Sequence, residues 1–146
     1  MIVTASLTTG IACVASGSAE ALSLVEQILR TDHLGWETTL YVGDAEFHRS
    51  KDGPFPNHQL RISVRPSAGC AALSYIDHDD KLMSVALSFN PQPCAADPYL
   101  VFNGSTGAVF PRSAVIPVGD ARDALAEWLR TRRRPTCIRW VPFDYF

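Results

Sequence analysis

An apolar stripe of helical period in the C-terminal third constrains this chain most. Asp120 stands before the stripe as a predicted N-cap, and Pro135 follows it as a helix breaker. A helix with one apolar face is stable only when that face packs against another layer, so this helix requires a partner surface. Its apolar residues fall at positions i, i+3, i+4, i+7 and i+8: Ala121, Ala124, Leu125, Trp128 and Leu129.

A second stripe predicts a helix of about three turns in the N-terminal quarter. Ser18 is its predicted N-cap, and Glu20 lies in the first turn, where the helix dipole favours a negative charge. Two amphipathic helices therefore bracket the middle of the chain. The apolar positions of the first are Leu22, Val25, Ile28 and Leu29.

Between the helices the apolar period changes to two, which is typical of strands with one drier face. Apolar and polar side chains alternate over residues 60–65 and again over residues 82–89. Asn103-Gly104 and the stretch 77–80 suit the turns between strands. The other predicted strands are 38–42, 71–76, 99–102, 108–110 and 136–141.

Short connections between these successive strands favour an antiparallel meander. The sequence therefore predicts an α+β fold, with an antiparallel β-sheet of about six to seven strands and two main helices packed on one face. A length of 146 residues and a hydrophobic content of 47% suit a single domain, 1–146, and are inconsistent with a disordered chain.

The charge of the chain is small overall but unevenly distributed. The formal net charge is -2, which by itself points to no class of partner. Residues 1–111 carry 11 acids and 6 bases, whereas residues 112–146 carry 4 acids and 7 bases. An arginine run is usually a solvated face, and the lack of aromatic residues within this one argues against a nucleic-acid platform. The run consists of Arg130, Arg132, Arg133 and Arg134.

The sequence carries little catalytic signal. It has no phosphate-binding glycine loop, no HExxH and no GxSxG, so we predict no enzyme activity, no cofactor and no metal. The histidines are scattered, and a nucleophile–histidine pair formed in space stays an alternative. The stretch Asp77-His78-Asp79-Asp80 is interpreted as a solvated turn, with a partner contact as the second interpretation and a metal site as the weakest. The cysteines form no CxxC pair and are predicted to be reduced, mostly buried thiols: Cys13, Cys70, Cys94 and Cys137.

The N-terminal segment 2–17 is mostly apolar or small, and residues 10–13 resemble a lipoprotein cleavage site. A secretory signal needs a basic start, however, and no Lys or Arg precedes Arg30. No run of about 18 apolar residues is present, so no membrane-spanning helix is predicted. We therefore expect a cytoplasmic protein without membrane contact.

A set of fixed spacings over residues 110–140 resembles the closing signature of a known family. Its parts are Phe110-Pro111-Arg112-Ser113, Ile116-Pro117, Ala121-x-x-Ala124-Leu125-x-x-Trp128-Leu129-x-Thr131 and Arg134-Pro135-x-x-Ile138-x-Trp140. The family's middle is similar to Leu60-x-Ile62 and Gly69-x-x-Ala72-Leu73-Ser74-Tyr75. The family is that of the Imm1 immunity proteins of bacterial polymorphic-toxin systems, and the resemblance covers about residues 58–142.

Two positions depart from that signature. Trp128 stands where members often carry Phe, which is a mild exchange on an apolar face. Arg132 stands where members often carry Gly, which would suit a left-handed C-cap. Arg132 must then either accept that conformation, at a cost of about 1–2 kcal/mol, or end the helix in another way.

The resemblance implies an antitoxin that binds a toxin domain encoded beside it, often a nucleic-acid deaminase or nuclease, and occludes its active site. Such an enzyme needs a positive substrate groove, so carboxylates on predicted loops are the expected contacts, with one aromatic anchor. The partner is therefore a protein, and no direct nucleic-acid contact is expected. The predicted toxin-binding residues are Asp44, Glu46, Asp52, Phe55, Asp77, Asp79 and Asp80.

Two other functions stay open at the level of sequence. A small-molecule-binding domain or enzyme would use the scattered His and Cys residues around a pocket of the sheet. A scaffold module would self-associate through the aromatic tail, residues 140–146, although Trp140 itself is predicted to lie in the core.

Overall fold

Eight strands pair into one antiparallel sheet, and two helices lie on one of its faces. The computed structural model describes residues 1–47, 56–92, 94 and 98–143. The predicted α+β class with two helices on one face is confirmed. Within the described ranges the elements are β1 (Ile2–Ser6), β2 (Ala12–Ser16), α1 (Gly17–Leu29), β3 (Thr38–Gly43), β4 (His58–Arg65), β5 (Cys70–Asp77), β6 (Val85–Phe89), β7 (Val101–Asn103), β8 (Ala108–Val109), β9 (Ile116–Pro117), α2 (Val118–Thr131) and β10 (Arg139–Pro142).

The sheet follows the order β10-β6-β5-β4-β3-β1-β2, with the short β9 paired to the start of β5. β3, β4, β5 and β6 are neighbours in chain order, which is the predicted meander. β1 lies between β3 and β2, and β10 pairs with β6, so β2 and β10 stand at the two edges. The hairpin β7–β8 is separate from this sheet.

The helix side of the sheet, which is the face beneath α1 and α2, is apolar. Leu60, Ile62 and Val64 of β4 are fully buried there, as their alternation predicts. The predicted stripe of α2 is buried along its whole length, and Trp128 is its largest member. Complete burial of one aliphatic side chain stabilises a fold by roughly 1.5–3 kcal/mol, so this layer holds the helices on the sheet.

Helix α1 begins earlier than predicted. Its N-cap is Ser16 and not Ser18, and the Glu20 carboxylate accepts the Ser16 N–H at 2.8 Å. This bond satisfies a donor that the helix start leaves free. Leu22, predicted in the apolar stripe, is half-exposed, whereas Ala21 is buried. Ala21 lies on the same helix face as the buried Val25 and Ile28, at spacings of four and three residues. Leu22 is one residue further along and lies at the margin of that face.

Helix α2 also begins earlier, at Val118, so Asp120 lies in its first turn and is not the N-cap. At the other end Arg132 has φ 57° and ψ 26°, and its N–H donates to the Trp128 carbonyl at 2.7 Å. Among the described residues it is the one non-glycine with a positive φ. The helix therefore ends in a left-handed cap before it reaches Pro135. Neither described helix has the length and apolarity to cross a membrane.

The hairpin side, which is the opposite face, is partly covered by β7–β8 and the chain leading to it. The polar residues of β4 bind the backbone of this cover. Ser63 Oγ donates to the Val101 carbonyl at 2.6 Å. Arg61 Nη1 donates to the Phe102 carbonyl at 2.9 Å. Because Ser63 is fully buried, the prediction of one drier face is wrong for β4, and both faces of this strand are covered.

Ten strands form in the described ranges, compared with about six to seven predicted. The additional ones are the N-terminal hairpin β1–β2 and the short β9. Small residues in 2–17 blur the alternation there, so that the segment resembles an export signal more than a pair of strands. The predicted strand over 82–89 begins only at Val85, and Leu82 is 95% exposed.

Candidate functional site

Several charged segments meet at one end of the sheet. In an antiparallel meander the β3–β4 connection and the β5–β6 turn emerge at the same end. The residues that follow α2 reach this end as well, because two of their arginines pair with carboxylates there. We call this region the acidic end, and it comprises Asp44, Glu46, His58, Asp77, Asp79, Asp80, Arg132 and Arg134.

The β5–β6 turn is built by its own carboxylates. The Asp79 N–H donates to Asp77 Oδ1 at 2.9 Å, and the Met83 N–H donates to Asp80 Oδ1 at 3.0 Å. An Asp side chain that binds the backbone two residues on is typical of turns, so the turn predicted here is confirmed. The Met83 N–H, together with the Arg134 guanidinium, holds the pKa of the Asp80 carboxyl below its usual range.

Two of the predicted contact carboxylates are paired within the molecule. Arg134 Nη1 lies 3.2 Å from Asp80 Oδ2, and both side chains are partly exposed. Arg132 Nη1 lies 2.9 Å from Asp44 Oδ1, although the Asp44 side chain is 89% exposed. The arginine run is therefore not simply a solvated face. An exposed pair adds only about 0.2–1 kcal/mol to stability, so the pair of Arg132 with Asp44 contributes little to the stability of the fold.

His58 joins the site through the strand register. It lies opposite Asp77 in the β4–β5 pairing, and its Nε2 is 3.5 Å from Asp77 Oδ1. On the other side of the ring, Nδ1 is 2.6 Å from the hydroxyl of Tyr75, which is fully buried. Burial raises the pKa of the Tyr75 phenol above its usual value. The phenol therefore keeps its proton, and the imidazole is held between two oxygen atoms.

An open pocket of about 500 Å³ lies between the acidic turn and the segment that follows α2. One wall carries His58, Asp77 and Asp79, and the other is formed by residues 133–136 with Trp140. Two carboxylates thus share the pocket with two arginines, Arg133 and Arg134, and with an indole ring, and the pocket is open to solvent. A pocket of this kind suits a protruding polar side chain of a protein partner.

Trp140 supports the second wall. Predicted in the core, it is instead half-buried at the core's margin, with its ring centroid 6.2 Å from that of Tyr75. Its Nε1 donates to the Pro135 carbonyl at 2.7 Å. The Thr136 N–H donates to the Glu127 carboxylate, which holds the pKa of Glu127 below its usual range. The Thr136 bond ties the wall to α2, and the Trp140 bond closes the wall on itself.

His58, Asp77 and Asp79 place three possible ligand atoms within 4.8 Å of one another. Imidazole nitrogen and carboxylate oxygen are donors that a divalent cation accepts. Exposed acidic groups are nevertheless common without an ion, and Asp79 Oδ2 already accepts a bond from Asn57 Nδ2 at 3.1 Å. We therefore assign no metal to this group.

The described members of the predicted toxin-binding set all lie at the acidic end. Asp77 ends β5, Asp79 and Asp80 lie in the turn after it, and the other two lie within three residues of the end of β3. Asp52 and Phe55, in the β3–β4 connection, lie outside the described residues, as do Tyr145 and Phe146 of the aromatic tail. The described members are Asp44, Glu46, Asp77, Asp79 and Asp80.

Sequence reasoning missed the contributions of His58, Arg132 and Arg134. The signal for His58 is the register of β4 against β5, which places it opposite Asp77. That register depends on the length and geometry of the turn after Arg65, which the alternation pattern does not fix. The two arginines are separated from their acid partners by 54 residues or more, so no local spacing indicates the pairs.

Comparison with known proteins assigns nearly the whole chain to one family. A search of curated proteins finds no match to the chain. The family model described as Immunity protein Imm1 matches residues 9–142. The match runs from the β1–β2 turn to the end of β10, so it includes both helices and the acidic end, and it extends beyond the C-terminal signature into the N-terminal hairpin. The chain therefore belongs to the Imm1 family of immunity proteins.

Proposed function

We propose that this protein neutralises one cognate toxin domain by binding it through the acidic end and covering the toxin's active site. Membership of an immunity-protein family carries the general role, in which the partner is a toxin protein. The observation that carries the contact surface is the grouping of Asp44, Glu46, Asp77 and Asp79 at one end of the sheet. In this proposal the chain acts in the cytoplasm as a single domain without enzymatic activity.

Carboxylates in fixed positions suit a toxin that acts on nucleic acid, such as a deaminase or a nuclease. The substrate groove of such an enzyme is positively charged. Asp77 is held by a backbone N–H and Asp79 by Asn57 before any partner arrives, so less side-chain entropy is lost on binding. Complementary charge raises the association rate and rejects wrong partners more than it adds affinity.

The internal ion pairs divide the carboxylates into two groups. Asp80 is occupied by Arg134 and by the turn backbone, so it shapes the site and does not meet the partner. Asp44 is exposed but shares its charge with Arg132. We therefore expect Asp79, which is exposed, to dominate the contact, and Asp77, which is half-buried and lines the pocket, to contribute beside it. A surface of alternating sign also discriminates against toxins with a different order of charges.

The experiment is to measure binding of the purified protein to the toxin domain encoded beside its gene, by calorimetry at fixed ionic strength. Asp77→Asn and Asp79→Asn remove charge with little change of shape. We expect each to weaken binding at least tenfold, which corresponds to about 1.4 kcal/mol, and to reduce the salt dependence of the association rate. Co-expression with the toxin should show the same order of protection.

Asp32→Asn is the matched control, because Asp32 is an exposed carboxylate just after α1, at the end of the sheet opposite to the acidic end. It should leave both affinity and protection unchanged. Equal affinities for all three variants would move the contact to another surface without affecting the antitoxin role. Failure of the unmodified protein to bind any toxin domain encoded beside it would contradict the role itself.

One observation favours a second candidate, a small-molecule-binding domain. A mostly apolar pocket of about 250 Å³ lies between the β1–β2 turn and α1, at the end of the sheet opposite to the acidic end. Leu7, Ile11, Cys13 and Ile28 are among its lining residues. Apolar metabolites that raise the midpoint of thermal unfolding would support this candidate, and a panel without any such compound would count against it.

A further inference from the structure

Two thiols meet on the hairpin side of the sheet. Cys70 Sγ and Cys94 Sγ are 3.5 Å apart. Cys70 begins β5 and is buried, whereas Cys94 is half-buried in the β6–β7 connection. All four cysteines are free thiols, as predicted, but Cys13 is only partly buried and Cys137 is exposed, so the prediction that most are buried is wrong.

Hydrogen bonds hold Cys94 in this position. Its carbonyl accepts Arg112 Nη2 at 2.9 Å. Shortly before it, the Asn90 N–H donates to the Ser113 carbonyl at 2.7 Å, and the Asn90 side chain donates to the Val115 carbonyl at 3.1 Å. The β6–β7 connection is thus bonded to residues 112–115, which precede β9, at two points: at Asn90 and at Cys94 itself. The fold therefore holds the two sulfur atoms in contact.

We propose that Cys70 and Cys94 form a reversible disulfide that ties the β6–β7 connection to β5. A disulfide bond is about 2.05 Å long, so the sulfur atoms must approach by about 1.5 Å from their contact distance of 3.5 Å. A reducing cytoplasm keeps the pair as thiols. Oxidation by a small disulfide of the glutathione class forms the bond, and small thiols reverse it.

The reaction is a pair of thiol–disulfide exchanges. The Cys94 thiolate attacks one sulfur of the small disulfide and expels the other half as a thiolate. Cys70, after losing its proton, attacks Cys94 Sγ in this mixed disulfide and expels the second half. The two protein thiols lose two electrons and two protons in total, and the small disulfide gains them as two thiols.

Accessibility decides which cysteine reacts first. Burial raises the pKa of the Cys70 thiol to about 11, so little of it is thiolate at neutral pH and it is a poor first nucleophile. Cys94 is the more exposed of the two and meets the reagent. Cys70 then resolves the mixed disulfide because it is already in contact with Cys94, and its proximity offsets its weak acidity.

The test is to incubate the whole protein with oxidised glutathione under native conditions and to measure its mass without reductant. We expect a product lighter by two hydrogen atoms, with the peptides that contain Cys70 and Cys94 cross-linked after digestion. In Cys70→Ser the resolving thiol is absent, so a glutathione adduct should remain on Cys94. The combined Cys13→Ser and Cys137→Ser variant is the matched control and should react like the unmodified protein.

A glutathione adduct that persists on Cys94 of the unmodified protein would overturn the pairing, as would a cross-link through Cys13 or Cys137. An unchanged mass overturns it equally, whether or not Cys70→Ser takes up glutathione. The peptide map of the unmodified protein decides the result even if substitution of the buried Cys70 prevents folding. None of these outcomes depends on toxin binding, so this proposal and the proposed function fail separately.

Discussion

Ile62 and Ser63 are adjacent in β4 and equally buried, but they face opposite covers. Ile62 packs on the helix side among the apolar residues of α1 and α2. Ser63 faces the hairpin side and donates its hydroxyl hydrogen to the Val101 carbonyl at 2.6 Å. The same strand therefore uses apolar packing on one face and side chain–to–backbone hydrogen bonds on the other.

The difference follows from what each cover presents. A helix satisfies its own backbone groups along its length, so it offers only side chains to the sheet, and apolar packing is the favourable response. The β7–β8 hairpin and the chain before it present backbone carbonyls, which cost free energy when they are buried without a donor. Alternation of apolar and polar residues in a strand can thus mean that its two faces are covered by different structures. It does not by itself indicate that one face is exposed to solvent.

The largest loss of stability is expected from a substitution on the helix side. Ile62→Ala removes a fully buried branched side chain and leaves a cavity between β4 and the helices, so we expect a loss of about 2–5 kcal/mol in the free energy of unfolding. Urea denaturation with a constant slope measures it. A loss below about 1 kcal/mol would mean that the layer repacks and is not tightly specified.

One buried polar network lies on the helix side, just after the end of α1. The Nδ1 of buried His33 is 2.8 Å from the Thr31 carbonyl and therefore carries the proton, so Nε2 accepts the Thr38 hydroxyl at 2.7 Å. The same Thr38 oxygen accepts the Thr8 N–H at 3.1 Å. This network fits the neutral imidazole, and burial lowers the pKa of His33 below its usual value.

Acidification should therefore destabilise the protein through His33. Because its folded-state pKa is lowered, its contribution is complete above the unfolded value of 6.5 and is lost as the pH falls below it. From pH 7 to pH 5 we expect a loss of up to about 2 kcal/mol in the free energy of unfolding. Urea denaturation at pH 7 and at pH 5 measures this loss. The His33→Gln variant should lose less stability between the two pH values. An equal loss in that variant would assign the effect to other groups.

A smaller effect is expected on the hairpin side. Ser63→Ala leaves the Val101 carbonyl without its donor, which should cost about 1–2 kcal/mol in the free energy of unfolding. Chemical denaturation beside Ser23→Ala, an exposed control on α1, measures it. If Ser63→Ala lowered the free energy of unfolding as much as Ile62→Ala does, the two faces would not differ in the way described. The Ser63 hydroxyl would then stabilise the fold as much as the Ile62 side chain.

The smallest effect concerns the end of the helix cover. Arg132→Gly and Arg132→Ala both delete the ion pair with Asp44, but only glycine adopts the left-handed conformation without strain. We expect the glycine variant to be more stable than the alanine variant by about 1 kcal/mol. Thermal and urea unfolding of the two proteins measures this difference. Equal stabilities would show that the cap relaxes when the arginine is removed.

The sequence predicted the fold best where one period dominated. The α2 stripe and the apolar positions of β4 identified the residues that are buried on the helix side, because both face one continuous apolar layer. The β1–β2 hairpin was missed because small residues weaken its alternation. The predicted stripe of α1 was wrong at its first position, because Leu22 is more hydrophobic than the buried Ala21 that takes its place.

The acidic end was predictable only as a set of loop carboxylates. Composition identified Asp77 and Asp79, since acidic turns between strands are readable from the sequence. The pairing of Arg134 with Asp80 and of Arg132 with Asp44 depends on how α2 crosses the sheet. Pairs of this kind arise from tertiary packing between distant segments, and no single-sequence pattern encodes them.

The strand order has a consequence for synthesis of the protein. β10 completes the sheet beside β6, yet it follows every other strand along the chain, and α2 directly precedes it. On the ribosome, the meander therefore emerges with one open edge and with an apolar face that α2 does not yet cover, a state that is prone to aggregate. The fold is therefore complete only after the C-terminal segment that carries α2 and β10 has left the ribosome.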